Sequence, residues 1–307
     1  MSRVLLTCVL LWLATMPRLA GQPAADQSRA TVALDVVALD RRGMPVMDLK
    51  PSEVEVWIGH FRVPIETFTV VQPGADEREG RLFVLILDDI TVPLEMMPRV
   101  REAAHHLVAG LRPGDQMAVV MLNEPVVEMT ADAARLRRAI EAYYVRSTGV
   151  LRTDQLGAHV LTTIGAAAQS LIEAGDGRKT IVGIGSGWLF DRPIPPPGAG
   201  NDLVREWIAS MRALSRTNST FYAIDPAGLD NRRTYGGDSG FARETGGMAF
   251  LNRNDLKDVA DQILREFATH YSLRVTSPPV GGTQGLREVK LDVKRSDLTI
   301  RARRAIH

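Results

Sequence analysis

The stretch Arg81-Leu-Phe-Val-Leu-Ile-Leu-Asp88-Asp89-Ile-Thr91 decides the reading of the whole chain. Apolar residues run from Leu82 to Leu87 with no polar alternation. That is the pattern of a strand covered on both faces. Two carboxylates and a hydroxyl follow it. Open α/β sheets bind their ligands where such strands stop, at the carboxyl ends. The run therefore predicts a parallel sheet and puts the surface of interest around Asp88, Asp89 and Thr91.

Downstream, strands and helices alternate. Met97, Val100, Ala104, Leu107 and Leu111 fall at helical spacing, which predicts a helix over 94–111 stopped by Arg112-Pro-Gly-Asp115. Residues 117–122 read as a second buried strand, and 126–130 as an antiparallel edge strand. A helix over 132–144 has Thr130 or Asp132 as its cap. Another begins at Thr153 or Asp154. Strands over 179–185, 220–225 and 246–251 alternate with helices over 202–215, 241–245 and 255–269. This order predicts an α/β domain over 81–270, with a doubly wound, Rossmann-like sheet, mostly parallel with one antiparallel edge strand.

The flanks differ. Residues 30–72 and 271–304 alternate with period two and are broken by turn residues, as in small antiparallel units. Neither segment buries an apolar face alone. The two chain ends are expected to pack together as one small β unit beside the α/β domain.

Residues 1–21 have Arg3, an apolar core from Val4 to Thr15 and small residues at Ala20 and Gly21, the layout of a secretory signal peptide. The core is shorter than the roughly 20 residues that span a bilayer. The protein is therefore expected to be exported, to the periplasm or the extracellular medium, with no transmembrane segment in the mature chain. The sole cysteine, Cys8, lies inside this leader, which removes disulfides and thiol catalysis from the expected chemistry. With 37 basic and 36 acidic residues the chain lacks the basic balance of a nucleic-acid binder.

Several segments together resemble a von Willebrand factor type A domain. Asp115-Gln-Met-Ala-Val-Val-Met-Leu122 is similar to that fold's second strand region, and Lys179-Thr-Ile-Val-Gly-Ile-Gly-Ser-Gly187 to its fourth strand. Asn218-Ser-Thr-Phe-Tyr-Ala-Ile-Asp-Pro-Ala-Gly-Leu229 and Glu244-Thr-Gly-Gly-Met-Ala-Phe250 resemble its fifth and sixth. The flanks, Asp40-Arg-Arg-Gly-Met-Pro-Val46 and Tyr271-Ser-Leu-Arg-Val275 among them, resemble the exported type A-related proteins common in Acidobacteria. The resemblance implies a metal-ion-dependent adhesion site for Mg²⁺ or Mn²⁺. Its pattern is Asp-x-Ser-x-Ser after the first strand, a Thr before the third helix and an Asp after the fourth strand. Asp88 matches the first Asp, but Ile90 and Val92 occupy the two Ser positions and Gly185 or Ser186 the last Asp. Thr153 matches the Thr better than Thr148. The metal set implied is Asp88, Thr91 and Thr153, a degenerate site in which Asp88 and Asp89 instead cap loop amides. No resident cofactor is expected.

Trp188 and Phe190, with Pro193 and Pro195–Pro197 behind them, form an apolar, proline-rich loop after a strand. With Asp89 and Ser186 they are the expected contacts for a partner, a protein or an envelope component. Enzyme signals are poor. Gly185-Ser186-Gly187 lacks the Gly-x-Ser-x-Gly spacing of a nucleophile elbow, and no histidine pair sits at ligand spacing. The expectation is an exported, non-enzymatic, adhesion-type interaction module. One alternative is a structural scaffold or assembly component of the cell envelope. Another is an envelope hydrolase using Asp88, Asp89 and His159.

Overall fold

The first strand, β1 (Thr31–Leu39), opens a computed structural model that describes residues 31–72, 80–123, 127–146, 153–174, 178–186, 202–229, 240–278 and 285–307. The expected leader over 1–21 lies outside the described residues. Asp40 turns the chain after β1, its carboxylate accepting from the amides of Arg42 at 2.8 Å and Met44 at 2.9 Å. Gly43 completes the turn at φ 75°, a left-handed conformation that glycine adopts without steric cost. Next come β2 (Val54–Ile58), β3 (Phe61–Val63) and β4 (Ile65–Val71).

The decisive run forms β5 (Leu82–Leu87). Phe83, Leu85 and Leu87 enter one core, and Val84 and Ile86 enter another on the opposite face. That is why the run shows no polar alternation. The chain continues through α1 (Met97–Ala109), β6 (Gln116–Met121), β7 (Val127–Thr130), α2 (Ala133–Glu141), α3 (Thr153–Gln169), β8 (Lys179–Ile184), α4 (Asp202–Arg216), β9 (Ser219–Ile224), α5 (Gly240–Glu244), β10 (Ala249–Phe250) and α6 (Leu256–Ala268). The strand order is β10-β9-β8-β5-β6-β7. All neighbours run parallel except β7, which is antiparallel at one edge. Residues of α1, α2 and α6 pack on one face of the sheet, and residues of α3, α4 and α5 on the other.

Two helix boundaries differ from the periodicity. Residues Leu94–Met96 form a 3₁₀ turn, and the α-helix starts only at Met97, with Pro98 in its first turn, where a missing N–H costs nothing. The second helix is capped by Asp132, which accepts from Ala134 and Arg135. It stops at Glu141, because Tyr143 turns inward and donates its hydroxyl to the Asp88 carbonyl at 2.7 Å.

After α6 the chain returns to strands: β11 (His270–Thr276), β12 (Arg287–Val293), β13 (Thr299–Ala302) and β14 (Ala305–Ile306). They join the first four in two antiparallel sheets ordered β13-β1-β11-β4 and β14-β12-β2-β3. Leu34, Val36, Val56, Ile58, Tyr271, Leu273 and Val289 fill one core between them, so the two sheets form a β-sandwich. The other face of β1 carries Asp35, which accepts from Asn218 Nδ2 of the α/β unit at 2.8 Å. The same seam holds Arg303, donating to the Ser219 carbonyl at 2.6 Å, and Arg301, paired with Glu266 at 2.5 Å. Among the described residues no helix is long and apolar enough to cross a membrane.

Candidate functional site

The sheet places Asp88 where its connectivity reverses. From β5 the chain moves to β6 on one side, and later returns as β8 on the other. The carboxyl ends of β5 and β8 flank this switch point, where open α/β sheets leave a crevice. Asp88 and Asp89 follow β5 directly and both are fully buried.

Asp88 is spent on its surroundings. Its Oδ1 accepts from the amides of Ile90 at 3.0 Å and Thr91 at 2.8 Å. Its Oδ2 accepts from the Thr91 hydroxyl and, across the switch point, from the Ser186 amide at 3.3 Å. The Asp88 amide in turn donates to the Ile184 carbonyl at 3.0 Å. This is the capping geometry of an aspartate that organises a turn.

Asp89 points toward β6. Its Oδ1 accepts from the Asn123 amide at 3.1 Å, and its main-chain carbonyl accepts from Arg146 at 2.8 Å. The other oxygen, Oδ2, is buried with no hydrogen-bond partner among the described residues. Burial holds the Asp89 carboxyl above the usual carboxylate range, and the charge of Asp88 adds to the rise. The amides of Asn123, Asp89 and Leu122 oppose it.

Ser186 Oγ is likewise shielded without a partner among the described residues. The two unengaged oxygens, Asp89 Oδ2 and Ser186 Oγ, are the donors this turn could offer a hard cation. Mg²⁺ wants an octahedron of oxygens, and every other carboxylate oxygen in the turn already accepts protein hydrogen bonds. Among the described residues no three His, Cys, Asp or Glu side chains cluster. The described donors therefore do not fit a resident Mg²⁺ as they stand. Thr91 is beside Asp88, but its hydroxyl donates to that carboxylate. Thr153 begins α3, and its side chain lies outside the described atoms. Trp188 and Phe190 also lie outside the described residues, so the expected docking loop has no geometry here.

His159 is tied to the same end of the sheet but not to the acids. Its Nε2 bonds the Leu122 carbonyl at 2.9 Å. No hydrogen bond joins it to Asp88 or Asp89 among the described residues.

Among the described residues, three exposed large apolar side chains stand near this turn, and the sequence did not single them out. Leu94, Tyr144 and Leu229 are 57%, 55% and 67% exposed. Leu94 and Leu229 follow β5 and β9, and Tyr144 adjoins Tyr143, whose hydroxyl reaches the Asp88 carbonyl, so all three stand at the carboxyl-end face. Arg99 braces part of it, donating to the carbonyls of Pro226 at 2.7 Å, Asn254 at 3.1 Å and Arg253 at 3.3 Å. The adjacent pair Tyr143-Tyr144 held the only available signal. Nothing in the sequence said which ring turns in.

No protein-family model matches this chain, and no curated protein matches it. Among solved structures it is similar to an aerotolerance-related membrane protein from Bacteroides fragilis carrying multiple mutations to serines. That likeness has 15% identity and a TM-score of 0.41, and covers 61% of this chain and 98% of that one. It is also similar to a pilus adhesin from Lactobacillus rhamnosus GG in its open conformation, at 10% identity and a TM-score of 0.40. The likeness covers 88% of this chain and 49% of the adhesin.

Proposed function

We propose that this chain is an exported, non-enzymatic interaction module with a doubly wound sheet of the von Willebrand type A kind, and that it docks a protein or envelope component on its carboxyl-end face. The observation that carries the reading is the exposure of Leu94, Tyr144 and Leu229 around a buried aspartate turn in which both Asp88 oxygens accept hydrogen bonds. Large apolar side chains held on loops over a rigid base are what a docking face requires. The aspartates serve as the base. Asp88 fastens the loops after β5 and β8 to each other, and Asp89 fastens the loop after β6. Docking by this face needs no metal of the protein's own.

Two experiments test this. Mg²⁺, Mn²⁺ and Ca²⁺ are titrated into the protein and into Asp88→Ala. Docking without a resident metal gives no heat that depends on Asp88. A binding isotherm lost in Asp88→Ala would replace this reading with a metal-dependent adhesion site. Capture by cross-linking from envelope extract is then compared between the protein and a Leu94→Ser, Tyr144→Ser, Leu229→Ser variant. The reading requires one species to be lost with the triple variant, and equal capture would sink it.

A second reading, an envelope scaffold that associates through the sandwich, has one observation in its favour. β4 is an edge strand hydrogen-bonded only to β11 among the described strands, and its seven residues include no Lys, Arg or Pro. Those are the residues that usually discourage edge-to-edge pairing.

A further inference from the structure

We propose that β4 is a self-pairing edge, through which the sandwich binds a second copy of this chain, antiparallel and centred on Thr69. This gives association through the sandwich its partner, and it rests on that second reading rather than on docking at the carboxyl-end face. A strand at a sheet edge leaves one row of N–H and C=O groups without strand partners. Among the described strands, the three sheets end on β13, β4, β10, β7, β14 and β3. β10 and β14 have two residues each, β3 has three with Arg62 among them, β13 has four with Arg301 among them, and β7 has four. β4 has seven, Ile65-Glu-Thr-Phe-Thr-Val-Val71, with neither Lys, Arg nor Pro. Short length and positive charge are what usually blunt an edge. β4 has neither, and all its residues except Glu66 are β-branched or aromatic, the types that favour strands.

Part of β4 is regular. Its register against β11 shifts between Arg274 and Val275, so Glu66 falls at the irregularity, while Thr67 to Val71 pair residue for residue with Arg274 to His270. The stretch from Thr67 to Val71 carries no charge. Glu66 is held within its own sandwich by the hydroxyls of Thr276 and Thr31. A two-fold axis at Thr69 sets Thr69 opposite the partner's Thr69, Phe68 opposite the partner's Val70 and Thr67 opposite the partner's Val71. Threonine with threonine, and aromatic with β-branched, are favourable cross-strand pairs. No like charges face each other in this register.

The pairing accounts for an exposed side chain. Phe68 and Val70 are two residues apart and share one face of the strand. That face turns to the sandwich core, where the Phe68 ring lies 5.1 Å from the ring of Tyr271. Yet Val70 is 37% exposed. In the paired register the partner's Phe68 covers it. The α/β unit leaves this side clear. The bonds that fasten it come from Asp35 of β1, Arg301 of β13 and Arg303 just after it, on the half of the sheet away from β4. The two four-stranded sheets would join as one, whose outer edges are both β13, short and carrying Arg301. Pairing therefore closes at two copies. A second copy also fits better than a foreign peptide. Its β4 is already extended and ordered, whereas a disordered segment loses conformational freedom when it binds.

Sedimentation equilibrium of the full chain tests this. One strand pair is small beside the roughly 1,600 Å² of a standard interface, so a monomer–dimer equilibrium is expected at about 1–100 μM. Thr69→Lys and Thr69→Glu each set like charges opposite one another across the axis, and each should weaken the dimer at least about fivefold. An equal mixture of the two variants sets Lys against Glu and should restore it, which a merely damaged edge could not do. Thr299→Lys, at an exposed position of β13 on the other edge of the same sheet, leaves the dimer unchanged. Far-ultraviolet circular dichroism checks that each variant is folded. A dimer that Thr69→Lys leaves intact, or a mixture that stays monomeric, overturns the β4 pairing while association by another face of the sandwich still stands. A chain that is monomeric at every concentration, as when the edge takes only a foreign strand, overturns self-association of the sandwich altogether.

Discussion

The amide of Ser186 donates to the carboxylate of Asp88 at 3.3 Å across the gap between two neighbouring parallel strands, β5 and β8. The bond closes the switch-point crevice from within. It makes Asp88 a clasp between two loops. Asp88→Ala leaves the amides of Ile90, Thr91 and Ser186 without their shared acceptor. Unsatisfied buried donors cost roughly 1–3 kcal/mol each before relaxation, and an overall loss of about 3 kcal/mol is expected. Urea denaturation measures it. A loss below about 0.5 kcal/mol, in the range of a neutral surface substitution, would show that the clasp carries no load.

Arg81 and Asp115 form a second fixed pair, at the opposite end of β5. The Arg81 Nε lies 3.1 and 3.0 Å from the two Asp115 oxygens, and both side chains are largely buried. Burial raises the Asp115 pKa, but the Arg81 side chain and the amides of Arg112 and Arg81 outweigh it, leaving the carboxyl below its usual range. Arg81→Ala is expected to cost about 3–5 kcal/mol, as for a broken buried pair. The double variant with Asp115→Ala should cost less than the sum of the two single changes. For Asp115 the folded pKa is the lower one. Its stabilisation is therefore present above the unfolded value of about 3.9 and is lost as pH falls through the folded pKa. Denaturation midpoints from pH 6 down to about pH 2 follow that loss, which Asp115→Asn should remove.

His270 gives the opposite kind of titration. Its ring is buried in the seam, with Nδ1 3.1 Å from the Phe267 carbonyl. Burial first, and then the positive charge of Arg178, push its pKa down from 6.5 to about 4, against the pull of Asp35 and the Phe267 carbonyl. Between those values the unfolded chain takes up a proton that the folded chain refuses. Stability is therefore full above about pH 6.5 and falls as pH drops toward 4, by about 3 kcal/mol in all. His270→Gln should flatten that window. An unchanged pH slope in guanidinium titrations would show that His270 is not the group responsible.

Gly247 marks where β10 approaches β9. A Cβ added there would lie 1.9 Å from the Phe221 carbonyl oxygen, whereas one at Gly285 meets nothing within 4 Å. Gly247→Ala should lower the melting temperature markedly, because the clash is with backbone, which has no rotamer to relieve it. Gly285→Ala should leave it within about a degree or two. Similar melting temperatures for the two variants would contradict the close approach.

Much of the α/β unit is legible in the sequence because its signals are local. The unbroken apolar run from Leu82 to Leu87 requires two cores, one for each set of alternate residues. Asp132 sits where an N-cap must sit, and its side chain takes that role. Asp88, directly after the strand and followed by Ile90 and Thr91, sits where a turn-capping carboxylate must sit, and it accepts from both of their amides. The rest depends on distant partners. Tyr143 ends α2 because Asp88, far back in the chain, offers a carbonyl. Tyr144 beside it is left in solvent, and the pattern of apolar residues cannot separate the two. A cavity at the seam brings together Thr31, Arg216, Arg274 and His307, which no motif or spacing connects.

By itself, then, the sequence determined the period of each element, the place where the central strand stops and the chemistry offered there. Those follow from side-chain pattern and backbone preference over a few residues. The tertiary structure alone decided that β1 lies between β11 and β13, that Asp88 turns its Oδ2 to the Ser186 amide, and that two arginines from separate units line one cavity. Such meetings are fixed by which buried surfaces fit together, and the free energy of that fit is shared among residues far apart in the chain.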